Sequence, residues 1–149
     1  KIILVFILNL VLFSCKKEVK PTAENINAII NSNEYVITVD IVSGSVAGSF
    51  TNQMIIEINN NHVKSKSERQ NPLKELNNIE KELNNVEKDS LKRILNNLVG
   101  LHTPEKIPLK SGGCTIHDEN YIIENDSIRM KIKPHINNSI YYEILGLIK

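Results

Sequence analysis

"EYVITVDIV", Glu34 to Val42, alternates strictly: Tyr35, Ile37, Val39 and Ile41 fall on one side and Val36, Thr38 and Asp40 on the other. β-Branched residues at that period predict a half-buried strand. Outward from it, "SGSVAGS" (Ser43–Ser49) turns the chain into a second strand over Phe50–Ile58. There Met54, Ile56 and Ile58 alternate with Gln53, Ile55 and Glu57. Asn59–Asn61 then make a turn into a short edge strand around His62–Lys66.

The next segment changes period. Asn71-Pro72 is a helix start, with Asn as cap and Pro at the first helical position. Leu73, Leu76, Ile79, Leu83 and Val86 step by three or four, and Leu91, Ile94, Leu95 and Leu98 carry the pattern to Gly100. The other face, with Asn84 on it, is Glu, Lys and Asn, so one amphipathic helix with a solvated side is expected. Asp89-Ser90 slips the period and marks a kink or a second start.

Beyond the prolines at 104 and 108 and Gly112-Gly113, three more strands are expected: Cys114–His117 extending into Tyr121–Glu124, Ser127–Lys133, and Ile140–Ile148. Glu124-Asn125-Asp126 makes the tight turn between the first two. The order strands–helix–strands predicts an α+β fold, an antiparallel sheet of about five to six strands with one long helix packed on one face. Ile128, Met130 and Ile132 join Tyr35, Ile37, Val39, Ile41, Met54, Ile56 and Ile58 on the inner face. Thr38, Asp40, Gln53, Glu57, Arg129, Lys131 and Lys133 fall on the wet one.

The N-terminal region reads differently. Ile2–Phe13 is apolar apart from Asn9 and follows Lys1. A spanning helix needs about 20 such residues, whereas a signal-peptide core is shorter and precedes a small-residue cleavage site. Leu12-Phe13-Ser14-Cys15 resembles the lipobox of bacterial lipoproteins. The resemblance implies that Cys15 receives a diacylglycerol, that the chain is cut just before it, and that it is held at the cell envelope. Lys16 lacks the Asp that retains some lipoproteins at the inner membrane, so the family pattern implies the outer membrane. The domain division that follows is a leader over residues 1–14, a lipidated tether over 15–33 with a weak helical turn around Ile26, Ile29 and Ile30, and one α+β domain over 34–149.

Once Lys1 leaves with the leader, 17 basic residues face 17 acidic ones. A neutral chain with interspersed signs has no electrostatic footprint for nucleic acid. Asparagine recurs in runs (Asn59–Asn61, Asn77-Asn78, Asn84-Asn85, Asn96-Asn97), which compositional drift in an AT-rich genome would also produce. Tryptophan is absent, which speaks against a sugar-stacking site.

"GGCTIHDE" (Gly112–Glu119) is the densest run of reactive side chains. Cys114 and His117 have Cys-x-x-His spacing, yet zinc needs three or four protein ligands. His62, His102 and His135 are scattered singly. On a strand, Cys114 and His117 point to opposite faces, which also separates a nucleophile from its base. A buried thiol and an exposed imidazole are the expectation, with no metal, cofactor or catalytic residue assigned. Asp126-Ser127-Ile128 resembles the Asp-Ser/Thr-aliphatic acceptor of O-glycosylation in Bacteroidota envelopes, with Ser127 as the acceptor; Asp89-Ser90-Leu91 fits the same pattern inside the expected helix. The functional expectation is a membrane-anchored envelope lipoprotein acting as a non-catalytic binding or inhibitory module for a protein partner. The alternatives are a small envelope hydrolase or metal site centred on Cys114 and His117, and a structural assembly subunit docked by the Leu73–Val99 helix.

Overall fold

The computed structural model describes residues 16–45, 48–69, 79–103, 116–134 and 140–149. In chain order these form β1 (Lys17–Val19), α1 (Ala23–Ile30), β2 (Glu34–Ser45), β3 (Gly48–Asn59), β4 (His62–Arg69), β5 (Ile79–Glu82), α2 (Asn85–Gly100), β6 (Ile116–Glu124), β7 (Ile128–Ile132) and α3 (Ile140–Ile148). The strands make one seven-stranded sheet in the order β1-β7-β6-β2-β3-β4-β5. Its architecture is α+β, as expected from the order of elements. The sheet is mixed rather than antiparallel, because β1 runs parallel to β7, with Lys17 opposite Ile128 and Val19 opposite Met130.

The central strands sit where alternation places them. Tyr35, Ile37, Val39 and Ile41 on β2 are buried, as are Met54, Ile56 and Ile58 on β3 and Met130 and Ile132 on β7. Pairing holds that parity across the sheet: Ile37 lies opposite Ile56 on one side and Ile123 on the other. A one-residue slip would turn each of these side chains out to solvent. Val63 on β4 and Tyr121 and Ile123 on β6 complete the inner face. Asn60, at φ 55°, makes the tight turn between β3 and β4, a backbone region that asparagine tolerates.

The expected long helix is not present. Its start at Asn71-Pro72 lies outside the described residues, and Ile79–Glu82 is an edge strand paired with β4. The helix begins only at Asn84, which caps it: the Asn84 side chain accepts from Glu87 N at 3.0 Å, and Glu87 Oε2 accepts from Asn84 N at 2.9 Å. This reciprocal capping box fixes the start. Asn84 is thus a cap and not a bystander on a solvated face. Of the expected stripe, Leu83 is buried in the link before the helix while Val86 is 74% exposed. The face that packs is Leu91, Ile94, Leu95 and Leu98, each such burial contributing about 1.5–3 kcal/mol.

Two further expectations are corrected. Ile140–Ile148 is a helix, not a strand, and its buried residues Ile140, Tyr141, Ile144, Leu145 and Ile148 have helical spacing. The segment read as a tether over 15–33 is built into the fold from its second residue. Lys17 N donates to Ser127 O at 3.0 Å. Ile26 and Ile29 on α1 are fully buried. Thr22 caps α1, its hydroxyl accepting from Asn25 N at 3.2 Å. All three helices contribute to one hydrophobic core with the inner sheet face.

Candidate functional site

With those helices on one side, the other face of the sheet carries the opposite parity of every strand. Its chemistry is banded. At one flank Glu18 of β1 pairs with Lys131 of β7 at 3.3 Å, and Arg129 of β7 lies 3.4 Å from Glu124 of β6. At the other flank Glu57 of β3 pairs with Lys66 of β4 at 3.5 Å, and Lys64 of β4 with Glu80 of β5 at 3.0 Å. Lys133 reaches Asp118 at 3.1 Å. Each flank therefore neutralises itself, and such exposed pairs stabilise by only about 0–1 kcal/mol each.

Between the flanks the register lines up Lys131, Ile122, Thr38, Ile55 and Lys66 in one row across five strands. Ile122, Thr38 and Ile55 are half-buried, and along the same face of β2 Thr38 lies between Val36 and Asp40. The neighbouring row is polar: Asn120 lies opposite Asp40, and Gln53 Nε2 donates to Asp40 Oδ1 at 2.6 Å. The open face thus has an apolar centre, a polar row beside it and a lysine at each end of the central row.

One end of the sheet gathers asparagines. Asn59 Nδ2 donates to Glu34 Oε1 at 3.0 Å, Asn60 N to Asn33 O at 2.6 Å, and Leu83 N to Asn61 O at 2.8 Å. Lys88 Nζ donates to Asn61 Oδ1. Asn125 shapes the β6–β7 turn, its Oδ1 accepting from Ser127 N at 3.0 Å and Ile128 N at 2.9 Å. Lys16 Nζ is 2.9 Å from Glu124 Oε1 at the same end. A shallow groove of about 240 Å³ runs there between Lys16, Glu34, Glu57, Asn59, Glu124 and Asp126. These asparagines have turn and capping duties that composition alone does not reveal.

Among the described residues, those singled out from the sequence do not converge. Cys15, Cys114 and His135 lie outside the described residues. The His117 backbone sits in β6 opposite Ser43. His62 is exposed at the start of β4. His102 has a structural duty, its Nδ1 accepting from Lys133 N at 3.1 Å just beyond β7. Ser127 is exposed in its turn. Among the described residues no cluster of three or more His, Cys, Asp or Glu could hold a metal ion.

Glu119 was missed. It is buried, 3% exposed, on the inner face of β6, where the Tyr121 hydroxyl donates to its Oε2. Burial and that bond both push the Tyr121 phenol far above its ordinary value. The signal was available: in "HDENYIIE" Glu119 shares parity with Tyr121 and Ile123.

No protein-family model, curated protein or solved structure matches this chain. Among the described residues no helix is long and apolar enough to cross a membrane.

Proposed function

We propose that this chain is a bacterial envelope lipoprotein, held at the outer membrane by acylated Cys15, that works without catalysis as a binding or inhibitory module. The observation that carries the binding half is the row Ile122–Thr38–Ile55 on the open sheet face, bounded by Lys131 and Lys66. Its partner is a protein, since a patch of apolar, amide and paired charged groups suits another protein surface. The anchoring half rests on Leu12-Phe13-Ser14-Cys15. Two or three acyl chains hold a protein stably at a bilayer, where one holds it marginally.

The test is crosslinking and capture from the native cells with wild type and the double variant Ile55→Glu, Ile122→Glu. The substituted positions are half-buried and outside the core, so the variant is expected to fold, which circular dichroism checks. A partner captured by wild type and lost from the folded double variant supports the reading. A partner retained by that variant excludes this face. Zinc in the purified protein, lost in His117→Ala, would favour a metal site instead.

A further inference from the structure

We propose that the asparagine-rich end of the sheet faces the lipid headgroups, and that the chain itself imposes this orientation. The inference rests on acylation of Cys15 as proposed above and adds to it what the fold does with the next residue.

Cys15 is one peptide from Lys16, a Cα separation of about 3.8 Å. Lys16 is not slack chain. Its ammonium is bound to Glu124 at 2.9 Å, and the next residue is already in the sheet, Lys17 N donating to Ser127 O and Lys17 lying opposite Ile128. A flexible tether of about 18 residues would instead have a root-mean-square reach of about 23 Å. Twelve residues of β2 span about 40 Å from one end of the sheet to the other. A tether that long would let either end, or the open face, meet the bilayer. One peptide does not.

The end that meets the membrane is set by strand direction. Lys16 precedes the start of β1, and β1 is parallel to β7, so the anchor lies beside the β6–β7 turn. The start of β2, the β3–β4 turn and the start of α2 lie at that same end, since Glu34 pairs with Asn59 and His62 with Glu82. The surface so presented suits a headgroup layer: the turns there are built on Asn33, Asn59, Asn60, Asn61, Asn84 and Asn125, whose amides both donate and accept. Attraction to anionic lipid is not required, since acidic groups at this end offset the exposed Lys17. Lys16 is held by Glu124 and Lys88 by Asn61, with Glu34 and Asp126 beside them. The opposite end, where β2 passes into β3 at Ser45 and Gly48, is directed away from the bilayer together with the near part of β6.

The experiment uses full-length acylated protein in phosphatidylethanolamine–phosphatidylglycerol vesicles. A fluorophore is placed on Asn85→Cys, at the anchor end, or on Ser45→Cys, at the far end, in a Cys114→Ser background. Intact mass verifies acylation of residue 15. Lipid-borne nitroxide is expected to quench the label at residue 85 severalfold more than that at residue 45. An aqueous quencher should show the reverse order, and added salt should leave both unchanged. Inserting a ten-residue Gly-Ser spacer between Cys15 and Lys16 should erase the contrast. Equal quenching at the two positions on protein with acylated Cys15 overturns the orientation and leaves the anchor standing. A contrast that survives the spacer overturns the claim that the short connection sets it. Absence of acylation overturns both.

Discussion

Lys81 Nζ lies 2.9 Å from the backbone oxygen of Leu147, so the outermost strand β5 caps the last turn of the C-terminal helix α3. The same ammonium pairs with Glu87 of α2 at 2.7 Å. One lysine thus joins an edge strand to two helices, and its charge suits a helix C-terminus. Lys81→Met should cost about 1 kcal/mol, less than the ~1.5–3 kcal/mol of a buried charged hydrogen bond because the side chain is partly solvated. Urea denaturation checks this, and a midpoint unchanged from wild type would show that the contact contributes nothing.

Asn84→Ala should destabilise by about 1 kcal/mol through loss of the α2 cap, whereas Asn84→Asp should keep most of it. The Glu87 carboxyl is held below its ordinary value by its bond to Lys81 and then by the Asn84 N–H. A depressed folded pKa stabilises above the unfolded value, near 4.3, and that contribution is lost as pH falls through the folded value. Stability of the Lys81→Met variant should accordingly fall less steeply on acidification below about pH 4.3 than that of wild type.

Leu95→Ala removes a fully buried side chain on the core face of α2 and should cost about 2–5 kcal/mol. Val86→Ala, on the solvent side of the same helix, should stay within about 0.5 kcal/mol. Comparable melting temperatures for the two variants would mean that α2 packs by a different face.

Burial raises the Tyr35 and Tyr121 phenols above the ordinary value of 10.0. A raised folded pKa contributes fully below the unfolded value and is lost above it, because the unfolded chain gives up its proton first. Stability should be flat with respect to these groups below pH ~10, then fall by about 1.4 kcal/mol per pH unit for each phenol. In Tyr35→Phe the alkaline slope should be one proton shallower, read from urea midpoints across the alkaline range. An unchanged slope would place the Tyr35 phenol in solvent.

Alternation was readable wherever one sheet face is buried and the other wet, as in β2, β3 and β7, because period two leaves no other assignment. Helices with β-rich composition were harder. Ile140, Tyr141 and Ile144 favour strands by propensity, yet Ile140, Ile144 and Ile148 recur every fourth residue, and packing against the core overrides propensity. Ile79 and Leu83 fit a helical stripe only because an edge strand and a helix follow each other within a few residues. β1 carries no apolar alternation of its own, since Lys17 and Glu18 are exposed and three residues are too few to show a period. The open sheet face was legible as a wet face; its row of Ile122, Thr38 and Ile55 depends on register, which a single strand does not contain. The end-on cluster of asparagines was hidden for the same reason.

Because Lys17 pairs with Ile128, the first strand waits for almost the last one before it can join the sheet. The antiparallel β2–β3–β4 meander, closed by short turns, can form while the chain is still emerging. The β1–β7 ladder cannot, since it closes a loop of more than a hundred residues, and pairing at such separation is slow. A nascent chain would therefore keep residues 16–20 extended and accessible until β7 has been delivered. Folding ends that interval by drawing the same residues into the sheet edge.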